Sequence, residues 1–157
     1  MPINHFDRTS DRSYNCIVAE EEITVTIPGP LITFKSAAWD AGHKELYLAS
    51  QEAIRAAVRD SPECPVLREW LTKGVRLKID VEFHLKTRRA INTDLDSMLG
   101  DLFNPLVEGA CGSRPAQKPV PQKKDSLFWE CHANKSPCPE SEERTVVKIR
   151  PLGCPRT

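Results

Sequence analysis

The order of elements in this 157-residue sequence predicts an α+β domain. Alternating polar and apolar residues indicate half-buried strands, whereas apolar residues at helical spacing indicate amphipathic helices. The segments follow one another as β, α, β, α, β, β: residues 22–27, 44–59, 75–85, 94–104, 126–133 and 145–149. This order departs from a regular βα alternation. It favours one small mixed or antiparallel sheet with the helices packed on one face.

Length and composition allow one domain and exclude some classes of protein. We expect a domain over residues 21–151, preceded by an N-terminal arm (1–20) and followed by a short tail (152–157). No stretch reaches the ~18 apolar residues of a membrane helix, and residues 1–15 lack the apolar segment of a secretory signal. We therefore expect a cytoplasmic protein with no membrane association. The 22 basic and 22 acidic residues cancel, which excludes a histone-like polycation.

The first half of the domain contains a strand and two helical segments. Residues 22–27 are β-branched and alternate, and Pro28-Gly29-Pro30 ends the strand. The helix over 44–59 has an apolar stripe that we expect to face the core: Leu46, Leu48, Ala49, Ala53, Ile54, Ala57 and Val58. Residues 65–71 form a second short helical piece, with Trp70 expected in the core.

The second half begins with the clearest strand. Six apolar residues alternate with five polar ones over 75–85, so we expect one face of this strand to be buried and the other to be exposed to solvent. A basic connector, residues 86–93, leads to the helix over 94–104, which Pro105 is expected to kink or end. A Pro-rich loop covers 109–124, with 113–124 its Pro- and Lys-rich part. The last two strands are expected to pair antiparallel with each other.

Six cysteines do not form a disulfide framework in this sequence. Their spacing is irregular, no C-x-x-C pair occurs, and reduced thiols are the expectation for a cytoplasmic chain of this size. A zinc site can be drawn from Cys131, His132, Cys138 and Cys154, but structural zinc ligands usually come in pairs at short fixed spacing. The three tryptophans, Trp39, Trp70 and Trp129, are expected in the core or at a dimer interface. The alternative is a base-stacking platform, which the sequence favours less because the three are dispersed rather than interleaved with basic residues.

Three carboxylates form the candidate catalytic site. Asp94 and Asp96 lie two residues apart at a helix start, and Asp125 opens the following strand. Close carboxylates repel, and a divalent cation relieves that repulsion; Mg²⁺ takes oxygen ligands and often shares them with substrate phosphate. The alternative is structural, because Asp-x-Asp at a helix start is often a cap and Asp before a strand is common in turns.

Basic residues beside the carboxylates fit a phosphodiester substrate. Residues 68–90 contain seven Lys or Arg and three Asp or Glu. Cations of this kind hold a phosphate backbone while a metal activates water. The alternative is a solvated strand face. Five residues are the candidate DNA contacts: Lys86, Arg88, Arg89, Lys124 and Lys135.

The order and spacing of these motifs resemble the RusA-type Holliday-junction resolvase family over roughly residues 22–150. The resemblance lies in an early strand ending in Ile-Pro-Gly-Pro, a strand running into Arg88-Arg89, the Asp-Leu-Asp motif at 94–96, and Asp125 with Lys135 ten residues later. It implies a homodimer that binds Mg²⁺ through Asp94, Asp96 and Asp125. Such a dimer nicks four-way DNA junctions symmetrically.

Two departures from the family pattern leave other functions open. Ser97 stands where the family usually has Asn, and Gly100 stands where it usually has Lys. We expect close packing to offset the cost of a mid-helix glycine at position 100. The alternatives are a RusA-like protein that binds branched DNA with weakened catalysis, and a small scaffold or zinc protein with no nucleic-acid role. Asp101 and Glu108 could add ligands, although Asp101 reads more simply as a surface charge.

Overall fold

Four strands and four helices make up the part of the chain that the computed structural model describes, residues 21–34, 41–112 and 127–152. In chain order they are β1 (Ile23–Pro28), α1 (Ala41–Arg59), α2 (Cys64–Lys73), β2 (Leu77–Leu85), α3 (Thr87–Asn92), α4 (Leu95–Cys111), β3 (Phe128–Pro137), a 3₁₀ turn (Glu140–Glu142) and β4 (Arg144–Pro151). The predicted α+β class is confirmed. The bounds of the arm (1–20), the loop (113–124) and most of the tail fall outside the described residues.

The strands form one mixed sheet in the order β1-β4-β2-β3. β4 pairs antiparallel with both β1 and β2, whereas β3 lies parallel to β2 at the edge. The predicted antiparallel pairing of the last two strands is therefore wrong. Burial explains the difference, because β4 buries Thr145, Val147 and Ile149, whereas no residue of β3 is fully buried. An apolar strand gains most at the centre of a sheet, and a polar strand is tolerated at its edge.

The helices cover one face of this sheet. Alternate residues of β2, from Leu77 to Leu85, are buried against residues of α1, α2 and α4 in a single core cluster. The prediction for α2 is confirmed, since Trp70 is buried. The predicted stripe of α1 is wrong in its first half, where Leu46 and Leu48 are 51% and 54% exposed. Ser50 is buried instead, because its hydroxyl accepts a hydrogen bond from the Ile32 N–H.

Helix α4 continues through Pro105 to Cys111 rather than ending there. Proline has no N–H, so the carbonyl of Asp101, four residues earlier, loses its helical donor. The side chain of Gln51 replaces that donor, with its Nε2 2.8 Å from the Asp101 carbonyl oxygen. A buried amide from α1 thus repairs the break in α4, which is why a mid-helix proline is tolerated here.

Helices α1 and α4 approach closely at Gly109. A Cβ at position 109 would lie 2.7 Å from the backbone oxygen of Arg55 and 3.0 Å from Cβ of Val58. Only glycine allows this approach without a backbone shift. Gly100 differs, since a Cβ there would meet no atom within 4 Å. The expectation that close packing offsets the cost of Gly100 is wrong.

We predict that Gln51→Leu lowers the free energy of unfolding by about 1–3 kcal/mol, because it leaves the Asp101 carbonyl without a donor. Pro105→Ala restores a backbone N–H at that carbonyl, so the same Gln51→Leu change should cost about 1 kcal/mol less in a Pro105→Ala background. Urea unfolding of the four proteins measures this coupling. If Gln51→Leu lowers the free energy of unfolding equally with and without the Pro105→Ala change, Gln51 does not replace the missing helical donor.

We predict opposite effects for alanine at the two α4 glycines. Gly109→Ala should destabilise the protein by about 1–3 kcal/mol, since the backbones of α1 and α4 must separate. Gly100→Ala is the matched control and should stabilise it by up to about 1 kcal/mol through helix propensity alone. The same urea titrations measure both changes, and a shared sign would contradict the close approach at Gly109.

Candidate functional site

Two of the three predicted carboxylates lie together at the N-terminal end of α4. Asp94 is the residue that caps the helix and Asp96 lies in its first turn, and both are exposed. The Asp94 side chain makes no capping hydrogen bond to the first turn of the helix. Asp96 has no hydrogen bond or ion pair with any described residue. Asp125 lies outside the described residues, as does Lys124.

The predicted basic connector contains a short helix that sequence reasoning missed. Helix α3 has six residues, Thr87–Asn92, and its N-cap residue is Lys86. The Lys86 side chain makes no capping hydrogen bond. Glu143, the residue directly before β4, supplies an acceptor: its Oε2 accepts hydrogen bonds from the Lys86 N–H at 2.9 Å and from the Arg89 Nε at 3.1 Å. A carboxylate from a distant element therefore fixes α3, which is why the local sequence did not reveal it.

The cations of this connector are partly neutralised by neighbouring acids. Arg89 pairs with Glu143, whose side chain is 3% exposed, and the Lys86 Nζ lies 3.3 Å from Glu140. Arg88 is exposed, and no ion pair joins it to a described residue. The connector thus offers one unneutralised guanidinium and a loosely held lysine. Its positive charge is smaller than the run of Lys and Arg suggests.

Lys135 has a different position from that of a free phosphate-binding lysine. Its Nζ donates to the carbonyl of Ala90 at 2.7 Å and to the carbonyl of Thr93 at 3.0 Å. These bonds satisfy the C-terminal end of α3 and hold the residue immediately before Asp94. Lysine near a helix C-terminus is also favoured by the helix dipole. Lys135, which the sequence predicts as a DNA contact, therefore anchors the turn that leads into Asp94.

A cleft of about 430 Å³ opens beside this turn. One wall is the chain after β1, and the other is α3 with its flanking residues. The lining residues are Leu31, Ile32, Thr33, His43, Lys86, Arg88, Arg89, Asn92 and Thr93. Since Asp94 follows Thr93 directly, the exposed carboxylates lie at the margin of a cleft lined by three cationic side chains.

The wall after β1 is held to α4 by a carboxylate that sequence reasoning considered as a metal ligand. Asp101 accepts the Phe34 N–H through its Oδ2 at 2.8 Å. Glu108 is engaged as well, with its Oε1 2.7 Å from Nε of Arg55. Both carboxylates therefore have structural partners, and Asp101 is more than the simple surface charge that the sequence suggested.

The described residues do not assemble a zinc site. Cys131 and His132 are consecutive in β3, so their side chains point to opposite faces of the sheet. Burial raises the pKa of the Cys131 thiol, with nearby Asp80 adding to the effect, and this disfavours the thiolate that binds zinc. No group of three His, Cys, Asp or Glu side chains in these ranges could hold a metal ion. Cys154 lies outside them.

We predict that Lys135→Met loosens the turn before Asp94, because the carbonyls of Ala90 and Thr93 lose their donor. Amide hydrogen exchange over residues 87–98 should become faster, while exchange in β4 stays unchanged. Lys148→Met is the matched control, since Lys148 is an exposed strand lysine with no ion pair to a described residue. Unchanged exchange in Lys135→Met would contradict the anchoring role.

No protein-family model matches the chain, and no curated protein matches it. Within the described ranges, no helix is long and apolar enough to cross a membrane.

Proposed function

We propose that this protein is a Mg²⁺-dependent, structure-selective endodeoxyribonuclease that acts on four-way DNA junctions as a homodimer. One observation carries the proposal: the exposed pair Asp94 and Asp96 borders a cleft that contains Arg88 and two further cationic side chains. Carboxylates beside cations suit the hydrolysis of a phosphodiester. The motif order of the RusA-type family supports the choice of junction DNA as substrate.

The cleft suits a phosphate backbone better than a neutral ligand. Arg88 offers a planar guanidinium, which binds phosphate oxygens in a bidentate manner. Lys86 is held to Glu140 at 3.3 Å in an exposed pair, and such pairs contribute little stability, so a phosphate can compete for that lysine. Asn92 and Thr93 add neutral side chains to the same wall. These contacts position a strand without reading its sequence.

The residues of the candidate site fit Mg²⁺. Asp94 and Asp96 provide the hard oxygen ligands that this ion prefers, and Asp96 is free of other partners among the described residues. Asp125 is the proposed third ligand. When bound, Mg²⁺ supplies charge stabilisation and activation of water for attack on phosphorus.

The chain's own groups would hold the substrate and the metal ligands in place. Arg88 is positioned to stabilise negative charge on the phosphate during the reaction. Lys135 anchors the turn before Asp94 through the carbonyls of Ala90 and Thr93, which limits the movement of the carboxylates. In a two-fold dimer, two such sites match the near two-fold symmetry of a four-way junction and the two nicks that resolve it.

We predict paired, symmetric nicks in a labelled synthetic four-way junction with Mg²⁺ and none with EDTA. Asp96→Asn should lower the rate at least about a hundredfold, because it removes a charged metal ligand, and should leave junction binding intact. Asp60→Asn is the matched control, since Asp60 is an exposed helix-end carboxylate. Parental cleavage by Asp96→Asn would show that the site assignment is wrong.

A junction-binding protein with weak turnover is the second candidate, and Gly100 favours it. Position 100 lies one helical turn beyond Asp96, is exposed, and leaves open space where the family usually has Lys. A lysine therefore fits there without rearrangement. Tight junction binding without nicks, together with a gain of cleavage in Gly100→Lys, would establish this candidate over the active nuclease.

A further inference from the structure

Trp129 is brought to the surface by an irregularity in β3. Leu77 pairs with Phe128, but the next residue of β2, Lys78, pairs with Glu130, so Trp129 is the extra residue of a bulge. Phe128 turns inward and stacks on Phe103 at 5.2 Å, whereas Trp129 is 61% exposed. Bulges of this kind redirect a side chain and are common beside functional sites.

Arg76 supports the exposed indole from within the same surface. Its guanidinium carbon lies 4.8 Å from the centre of the Trp129 ring, a cation–π contact. The Arg76 carbonyl accepts the Leu152 N–H at 2.9 Å, which fixes the backbone below this pair to the end of β4. The Arg76 guanidinium therefore restrains the Trp129 ring, and most of the Trp129 side chain is still accessible to solvent.

Three further cations lie on the sheet face that the helices leave open. Lys78 and Arg150 are direct cross-strand neighbours, and Lys148 follows one position further along the same face. No ion pair joins any of these three to a described residue, in contrast to Lys86 and Arg89 in the cleft. Three acids share this face: Glu130 is the cross-strand partner of Lys78, Asp80 is that of Lys148, and Glu82 follows Asp80 on β2. Four cations with Arg76 therefore face three acids, and the net charge is +1.

We propose that this surface, the Trp129 platform (Arg76, Lys78, Trp129, Lys148 and Arg150), is a second DNA-binding site that stacks an unpaired base on Trp129 and holds the adjoining phosphates. An aromatic face next to free cations matches a base next to phosphates, and stacking accepts any base. The choice of DNA rests on the proposed function. The platform itself rests on the bulge, the cation–π contact and the free cations.

The platform lies at the opposite end of β2 from the carboxylates. Arg76 precedes the first residue of β2, whereas Asp94 follows its last residue by way of α3. Along β3, six residues separate Trp129 from Lys135, whose Nζ bonds the Thr93 carbonyl beside Asp94, and six residues of strand correspond to roughly 20 Å, the length of about six base pairs of duplex. The platform therefore binds DNA away from the proposed site of cleavage and adds affinity without a part in the chemistry.

The test measures binding of the full-length protein to a four-way junction and to a single-stranded oligothymidylate, both in EDTA so that no cleavage occurs. Trp129→Ala should weaken oligothymidylate binding about tenfold or more, and Trp129→Phe should retain most of the affinity. Oligothymidylate should also quench tryptophan fluorescence in the parent and not in Trp129→Phe. Lys78→Gln and Arg150→Gln should each reduce the salt dependence of log K by about 0.7 for single strands.

Three results would overturn the platform. The first is parental affinity of Trp129→Ala for both DNAs, and the second is unchanged fluorescence on DNA binding. The third is a change in oligomeric state of Trp129→Ala in sedimentation, which would assign this surface to a second copy of the chain. If Trp129→Ala loses oligothymidylate binding and the parent does not cleave the junction, the platform is supported and the nuclease is refuted. If the parent cleaves the junction and Trp129→Ala binds both DNAs as the parent does, the nuclease is supported and the platform is refuted.

Discussion

The buried carboxylate of Glu143 is the interaction on which the cleft depends. Its oxygen Oε2 takes hydrogen bonds from the Lys86 backbone and from the Arg89 side chain, and its own carbonyl accepts the Gly29 N–H at 3.0 Å. One residue thus joins the end of β1, the start of β4 and the start of α3. A buried charge of this kind is tolerated only while it remains paired, so the three elements are held in one arrangement. Both walls of the cleft follow from it.

The same carboxylate changes where positive charge is available. Glu143 and Glu140 take up Arg89 and Lys86, which the sequence presents as the strongest basic run. The cations left without an acidic partner in the described ranges include Arg88 in the cleft and Lys78, Lys148 and Arg150 on the open face. Because the last three come from two strands that are distant in sequence, their proximity is a product of the antiparallel pairing of β2 and β4. Charge density along a chain is therefore a poor guide to the charge of this surface.

Elements whose patterns are local were predictable from the sequence, and contacts between distant elements were not. The period-two alternation of β2 and the apolar stripe of α4 have single interpretations, and both elements form, although α4 extends beyond its expected end to Cys111. The position of β4 inside the sheet depends on its pairing with both β1 and β2, and no local sequence pattern records these pairings. Helix α3 depends on Glu143, and the passage of α4 through Pro105 depends on Gln51. The choice of Asp94 and Asp96 as metal ligands stays a prediction from their spacing, whereas the anchoring of their turn by Lys135 required the structure.

Side chains from other elements donate hydrogen bonds to three backbone carbonyls in or next to helix α4. None of these carbonyls has a helical N–H donor. Lys135 bonds the carbonyl before its first turn, Gln51 the carbonyl freed by Pro105, and Arg68 the Ala110 carbonyl near its end at 2.7 Å. Together with the close approach of α1 at Gly109, these bonds fix the helix along its whole length. Asp94 and Asp96 therefore project from a rigid support. The proposed metal site would depend on such support, because ligands that can move lose the geometry on which affinity and catalysis depend.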